Sequence, residues 1–472
     1  MSRANAEVRR GRPNGAFSFL HDALCAPASA EQITAVSIPA PVAPVSRFAR
    51  LAGENELFLW QPRQGVSRAA SGAVELVTMS QANSLSELRR SCAAVLARVR
   101  SVGYESLVVT PVLVGGLAFC GGRDHESAWR PFGDGFFLLP RWQYGVDGGR
   151  ASLTFFAAGS TTSADAEKVV AQAVQLIAAL EAPEPDVPRA LPSRREIRHL
   201  PVDQWRMLVE QALGEIAAGH FEKVVLARRS IVAADREFSS VELFAHLCAA
   251  NPDCFCFAFA REGSIFAGAS PERLLRRVGR DVCADALAGT GAVSGAVSGG
   301  GATSLGVSAQ ALLASEKNRR EQRFVVQAIA EVLGPLCSVL SIPDEPEVRP
   351  LGHLQHLSSN ITGRLSADLH ILDLVAALHP TPAVGGLPAA TALAWLRTHE
   401  PEERGWYAGP VGWFDAAGDG EFAVAIRSGL VRGNRAWVYA GSGIVADSDP
   451  AGEYAETALK QRAMLQALGM QA

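Results

Sequence analysis

Across residues 201–472, apolar strand-like runs and helical periodicities follow one another without the regular strand–helix–strand alternation that a parallel sheet needs. An α+β architecture is therefore expected rather than a doubly wound sheet. A helix over Val202–Gly219 ends at a glycine, and strands are predicted over Lys223–Val232, Cys254–Arg261 and Ser264–Gly268, the last two joined by the tight turn Glu262–Gly263. A further helix is predicted over Ser315–Leu333, with Val325, Ile329 and Val332 facing inward, and the C-terminal helix opens at Asp449 as N-cap with Pro450 in its first position.

The preceding half reads as mixed α and β. Strand-like runs at Glu56–Trp60 and Ser106–Thr110 flank a helical pattern over Ser84–Val99. Residues 1–46, rich in Ala, Pro and Ser, are expected to form a loosely ordered leader, and the Pro-rich charged stretch Glu181–Pro201 reads as a linker or a long surface crossing. Gly289–Gly306 has the composition of a mobile loop, either an active-site lid or a surface insertion.

A chain of 472 residues with 48% hydrophobic and 19% charged content can bury a large core. A net charge of -4, with no basic stretch interleaved with aromatics, argues against nucleic acid as a partner. Eight scattered cysteines without a Cys-x-x-Cys pair read as reduced thiols of a cytoplasmic protein. His21 and Asp22 interrupt the N-terminal apolar stretch too soon for a signal-peptide core, and no apolar run approaches the roughly 20 residues that span a bilayer, so no membrane association is expected. Walker-type and dinucleotide-type glycine loops are absent.

Glu321 lies four residues before Val325, which puts a carboxylate on the inward line of its helix, where it needs a cation, a proton or several donors unless it emerges into water. Glu453, Glu456 and Lys460 share one face of the C-terminal helix, as a solvated ion pair or as oxygen donors for a magnesium site. Lys223 opens an apolar strand, so its amine is either a solvated strand-end charge or a base at the rim of a dry cavity. Glu272 follows the turn Gly268–Pro271, as an ordinary turn carboxylate or one aimed into the same cavity.

Together these pieces resemble the chorismate-utilising enzymes, which include isochorismate synthase, salicylate synthase, anthranilate synthase component I and aminodeoxychorismate synthase. The matching segments run in the family's order from Lys223-Val224-Val225-Leu226-Ala227-Arg228 through Gly268-Ala269-Ser270-Pro271-Glu272-Arg273, Ala288-Gly289-Thr290, Glu316-Lys317-Asn318 with Glu321, and Gln355-His356-Leu357. They continue through His379-Pro380-Thr381-Pro382-Ala383, Gly405-Trp406-Tyr407-Ala408-Gly409, Ala425-Ile426-Arg427, and Gly441-Ser442-Gly443-Ile444-Val445 to Glu453, Glu456 and Lys460. The resemblance implies two large antiparallel sheets packed together with helices outside, residues 47–200 contributing to the same α+β unit as a catalytic core over 201–472. It implies Glu321 and Glu456 as magnesium ligands, with Glu453 holding a metal-bound water. It also implies Lys223 and Glu272 as catalytic groups, and Gly289, Thr290, His356, Ala383, Tyr407, Arg427, Gly441 and Lys460 around the substrate chorismate.

Single positions choose within the family. Ammonia-using members carry Gln where this chain has Lys223, members attacking through a covalent lysine carry it where Ala288 stands, and pyruvate-eliminating members tend to have Thr where Ala383 stands. The resemblance thus implies an isochorismate synthase, an isomerase adding water at C2 of chorismate with loss of the C4 hydroxyl. Salicylate synthase is the alternative, and a binding-only relative is a third reading. The long N-terminal half resembles the menaquinone-type enzymes more than the siderophore-type, and a monomer is expected, with a dimer possible. Two departures stand out: Gln322 follows Glu321 where the family has His, and Gly291 follows the Gly-Thr pair where the family has an Arg-rich turn.

Overall fold

The computed structural model describes residues 13–470 apart from 53–55, 81, 83, 123–124, 183–194, 293–308 and 353. The expected α+β architecture is present, as a large, almost wholly antiparallel sheet with helices. The two expected sheets are joined into one hydrogen-bonded system, because the long strands Ser67–Thr78 and Gly135–Asp147 pair with each other and run through both halves. Towards one side Leu57–Gln61 continues through Phe255–Arg261, Ser264–Ser270, Ser428–Arg432 and Arg435–Ile444 to Lys223–Ala234. Towards the other, Val112–Leu117 continues through Pro410–Asp415, Gly420–Val424, Arg273–Val278 and Asp281–Ala292 to Leu354–Leu365. In each half a strand from before residue 200 pairs directly with one from after it, and one core holds Phe58 and Trp60 with Phe257, Phe414 and Phe422.

Local rules explain the elements that place the site. Glu262 (φ 47°) and Gly263 (φ 75°) both take left-handed backbone, the geometry of a two-residue hairpin turn. Ser315 caps the helix Glu316–Leu333 by accepting from Asn318 N, and Asp449 caps Pro450–Ala467 by accepting from Gly452 N at 2.7 Å. Val325, Ile329 and Leu333 are buried along the first of these helices, with Val332 packed against the core from its edge.

Four expectations need correction. The leader is ordered where it is described: Pro13–Cys25 is a helix with Leu20 and Leu24 buried, and Ile33–Ala40 is a strand between Val99–Gly103 and Arg150–Ala158. Its Ala- and Pro-rich composition conceals that Ile33, Ala35, Val36 and Ile38 are all buried, an interior strand rather than an alternating one. Ser106–Thr110 is not a strand, since Glu105 and Ser106 adopt φ of 48° and 67° and bend the chain into a short turn. The linker segment lies outside the described residues over 183–194, but Arg195–His199 is already a strand on Ser230–Ala234. Of the glycine-rich loop, residues 289–292 continue the strand Asp281–Ala292, and 293–308 lie outside the described residues.

Candidate active site

Where the two halves of the sheet face the helices Glu316–Leu333 and Pro450–Ala467, a cavity opens. Glu272, Gly289, Thr290, Glu321, His356, Ala383, Tyr407, Arg427, Gly441 and Lys460 line it. Lys223, Glu453 and Glu456 stand directly behind that lining. Lys223 is 1% exposed, so the solvated strand-end alternative does not hold, and its Nζ meets Glu321 Oε1 at 2.9 Å. A Cβ on Gly443 would lie 2.8 Å from that Oε1 and 2.8 Å from Lys223 Cε, which is why this position of the strand has no side chain.

The next residue outward joins the other two carboxylates. Ser442 Oγ donates to Glu453 and lies 3.3 Å from Glu456 Oε1, while Glu456 pairs with Lys460 Nζ at 2.6 Å and Glu453 with Lys317 Nζ at 3.3 Å. Lys460 also donates to Gly441 O at 3.0 Å. Three acids from two helices thus meet consecutive residues of one strand, and a lysine neutralises each. Burial alone would raise Glu321 above the usual carboxylate range, but Lys223, Lys460 and Lys317 outweigh it and hold the group ionised. Three carboxylates against one strand offer the hard oxygen donors that a divalent cation takes, once the lysines paired with them give way. No group of three such side chains closes on an ion by itself among the described residues, so substrate oxygen and water would have to complete the shell, as magnesium prefers.

Glu272 is the chemical opposite. It is 2% exposed and its Oε1 has no hydrogen-bond partner, so burial, reinforced by the charge of Asp285 and only partly offset by Lys223 and Lys460, lifts its pKa to about 8. Its backbone is pinned: its N–H donates to Ser270 Oγ at 3.2 Å, its carbonyl accepts from Val424 N at 3.1 Å, and Ser270 Oγ donates to Val424 O at 2.6 Å. Near neutrality the cavity therefore holds a protonated carboxyl, with the separate amine of Lys223 behind its wall at Glu321, the pairing that general acid–base chemistry requires.

The remaining lining sorts by charge. Arg427 donates to His356 Nε2 at 3.0 Å, so the imidazole proton sits on Nδ1 and donates to Gly289 O at 3.1 Å. Burial and the cations Arg427 and Lys460 push His356 well below its usual range, keeping it neutral. Arg427 has φ 54°, a left-handed backbone that a non-glycine residue rarely takes and that sites of function often store. Tyr407 stacks on Tyr439 with centroids 5.1 Å apart, and burial raises its phenol to about 12, leaving it a neutral donor. Gln322, which replaces the family's His, is itself buried and donates to Ala286 O and Ser359 Oγ, tying the helix of Glu321 to the strand of Gly289.

Sequence reasoning missed Asp285, Arg404 and Tyr439. Arg404 lines the cavity fully buried, its Nε donating to Glu400 at 2.7 Å and its terminal nitrogens to Val384 O and Val225 O; the Glu400 spacing of four was its sole local signal. Asp285, on the strand leading to Gly289, accepts from Arg63 at 3.0 Å and from Arg273 N at 3.3 Å. Nothing local distinguishes it from a solvated strand residue.

Residues 20–469 match the family described as chorismate binding enzyme. The chain belongs to the chorismate-binding enzymes. Among its relatives, the salicylate biosynthesis isochorismate synthase of Pseudomonas aeruginosa is 45% identical over 268 residues, covering 56% of this chain and 54% of that protein. The isochorismate synthase MenF of Bacillus subtilis is 36% identical over 367 residues, covering 76% of this chain and 75% of the other. The solved structure of MenF, the menaquinone-specific isochorismate synthase of Escherichia coli, aligns with a TM-score of 0.74 at 29% identity, over 96% of this chain and 99% of that one. The chain thus spans about half the length of the first of these relatives. The family match runs over residues 20–469, nearly the whole described span. Among the described residues no helix is long and apolar enough to cross a membrane.

Proposed function

We propose that the chain is an isomerase that converts chorismate to isochorismate. One observation carries the reading. A buried carboxyl held protonated near neutrality, Glu272, lines the cavity with Arg427 and Lys460, and the buried amine of Lys223 reaches its wall at Glu321, near enough for its charge to act on Glu272. In the proposed sequence, Arg427, Lys460 and the Tyr407 hydroxyl hold the two substrate carboxylates and fix the ring between acid and base. Lys223 Nζ takes a proton from water as its oxygen bonds to C2; the ring double bonds shift, the C4–O bond breaks, and Glu272 gives its proton to the departing hydroxyl, which leaves as water. Lys223 acts as base once its ammonium has released a proton to solvent water, leaving the neutral amine against Glu321. A magnesium ion held by Glu321 and Glu456, with Glu453 on a bound water, would supply the charge neutralisation that the lysines provide here and bind the ring carboxylate.

Ala288 and Ala383 leave the cavity without the covalent lysine or the threonine of other family members, which supports isomerisation as the end of the reaction. Eight free thiols suit a cytoplasmic protein. The test is incubation of the purified chain with chorismate and magnesium, then with chelator, and chromatographic identification of products. Isochorismate alone is expected; salicylate with pyruvate would replace this reading by salicylate synthase, and unchanged chorismate would leave only binding.

A further inference from the structure

A second cavity lies against the first. Arg427 and Lys460 line both, so these two side chains form the partition between them. The far side adds Arg462, for which no ion pair or hydrogen bond exists among the described residues, and the lining includes no Asp or Glu. Leu459, Arg462, Ala463 and Gln466 follow at spacings of three and four, so one face of the helix Pro450–Ala467 forms a wall of this cavity. Lys460 is paired with Glu456, so Arg427 and Arg462 are the two cations of this lining without a carboxylate partner among the described residues, and they make a space that attracts anions.

We propose that this second cavity is the antechamber through which a dianionic dicarboxylate substrate reaches the reaction cavity and its product leaves. The proposal rests on the reading of the reaction cavity as a chorismate site. A carboxylate drawn in by Arg462 passes to Arg427 and Lys460 and crosses the partition without leaving their positive field. The chamber is fitted for transit rather than residence. Its neutral polar side chains are already engaged, Asn251 donating to Leu247 O at 2.9 Å and Gln466 having a partner, so charge draws the ligand in but nothing there fixes its orientation. The remaining walls, such as Pro271, Leu351 and Leu354, are apolar.

The test uses the full chain with magnesium and measures the association rate of chorismate by stopped-flow quenching of tryptophan fluorescence, alongside steady-state turnover. Arg462→Ala should slow association about threefold and Arg462→Glu about tenfold at low ionic strength, both differences shrinking as salt is raised, with kcat retained and Arg462→Lys restoring the rate. Ala463→Trp, which fills the chamber without changing charge, should slow association with an unaltered salt dependence. Melting temperatures identify variants that fold as the parent does. Association rates equal to the parent's in the folded variants would overturn the proposal. So would calorimetry showing two chorismates bound per chain with the second lost in Arg462→Glu, which would make the chamber a resident site. Product identity in the unmodified chain tests the isochorismate reading separately, so the two can fail independently.

Discussion

Glu272→Gln should sharply lower turnover and stabilise the fold, and the size of the second effect follows from burial. In the native chain the carboxyl titrates at about 8, against an ordinary 4.5. The folded-state value is raised, so the group's contribution is fully present below about pH 4.5 and is lost progressively as pH rises towards 8, beyond which it is constant. Each pH unit in that window costs the fold roughly 1.4 kcal/mol, giving about 3 kcal/mol at pH 7 and on the order of 5 kcal/mol above pH 8. Glutamine occupies the same volume and does not titrate. The stability difference between variant and parent should therefore grow by these amounts across the window. With an unfolding entropy of about 1 kcal/mol/K for a chain this long, 3 kcal/mol corresponds to a melting shift of roughly 3 °C at pH 7. Thermal melts of both proteins at intervals from pH 5 to 9 make the measurement, with turnover assayed on the same preparations and expected to fall about a hundred- to ten-thousand-fold. A stability difference that stays flat across that range would refute the claim that Glu272 is buried and protonated. Near-parental turnover would remove it from the proton-transfer role.

Asp285→Asn removes a negative charge that helps hold Glu272 protonated, so the alkaline limb of the kcat profile should move to lower pH; a pH–rate series in which the limb stays in place would separate Asp285 from that role. Lys223→Ala should lower kcat about a hundred- to ten-thousand-fold while chorismate still binds, as measured by fluorescence titration. Chelation should suppress turnover and added magnesium should restore it, whereas Glu321→Ala and Glu456→Ala should each raise the magnesium concentration needed for half-maximal rate. Ile329→Ala, in the buried stripe of the helix that carries Glu321, should cost about 2–5 kcal/mol in denaturant unfolding.

Much of the scaffold around the site was legible locally. Ser315 and Asp449 announce their helices as caps, Glu262–Gly263 announces its hairpin, and the spacing Val325–Ile329 marks the buried stripe beside Glu321, because each signal lies within a few residues of what it determines. Resemblance, not periodicity, pointed to His356, Tyr407, Arg427 and Gly441, and the cavity does bring these together. The fold over residues 13–40 stayed hidden because small apolar residues buried on both faces carry no alternation to read. Pairing decided the rest. Lys223 and Glu321 are separated by 98 positions, Arg63 and Asp285 by 222, and whether Glu272 faces water or a dry pocket depends on strands that arrive from elsewhere in the chain. The sequence by itself determined the helices, their caps and the presence of acids and amines able to do the chemistry. Tertiary structure alone decided which of those charges are partnered and which is left protonated, because a pKa depends on the dielectric and the neighbours around a group, and both are assembled only when distant segments meet.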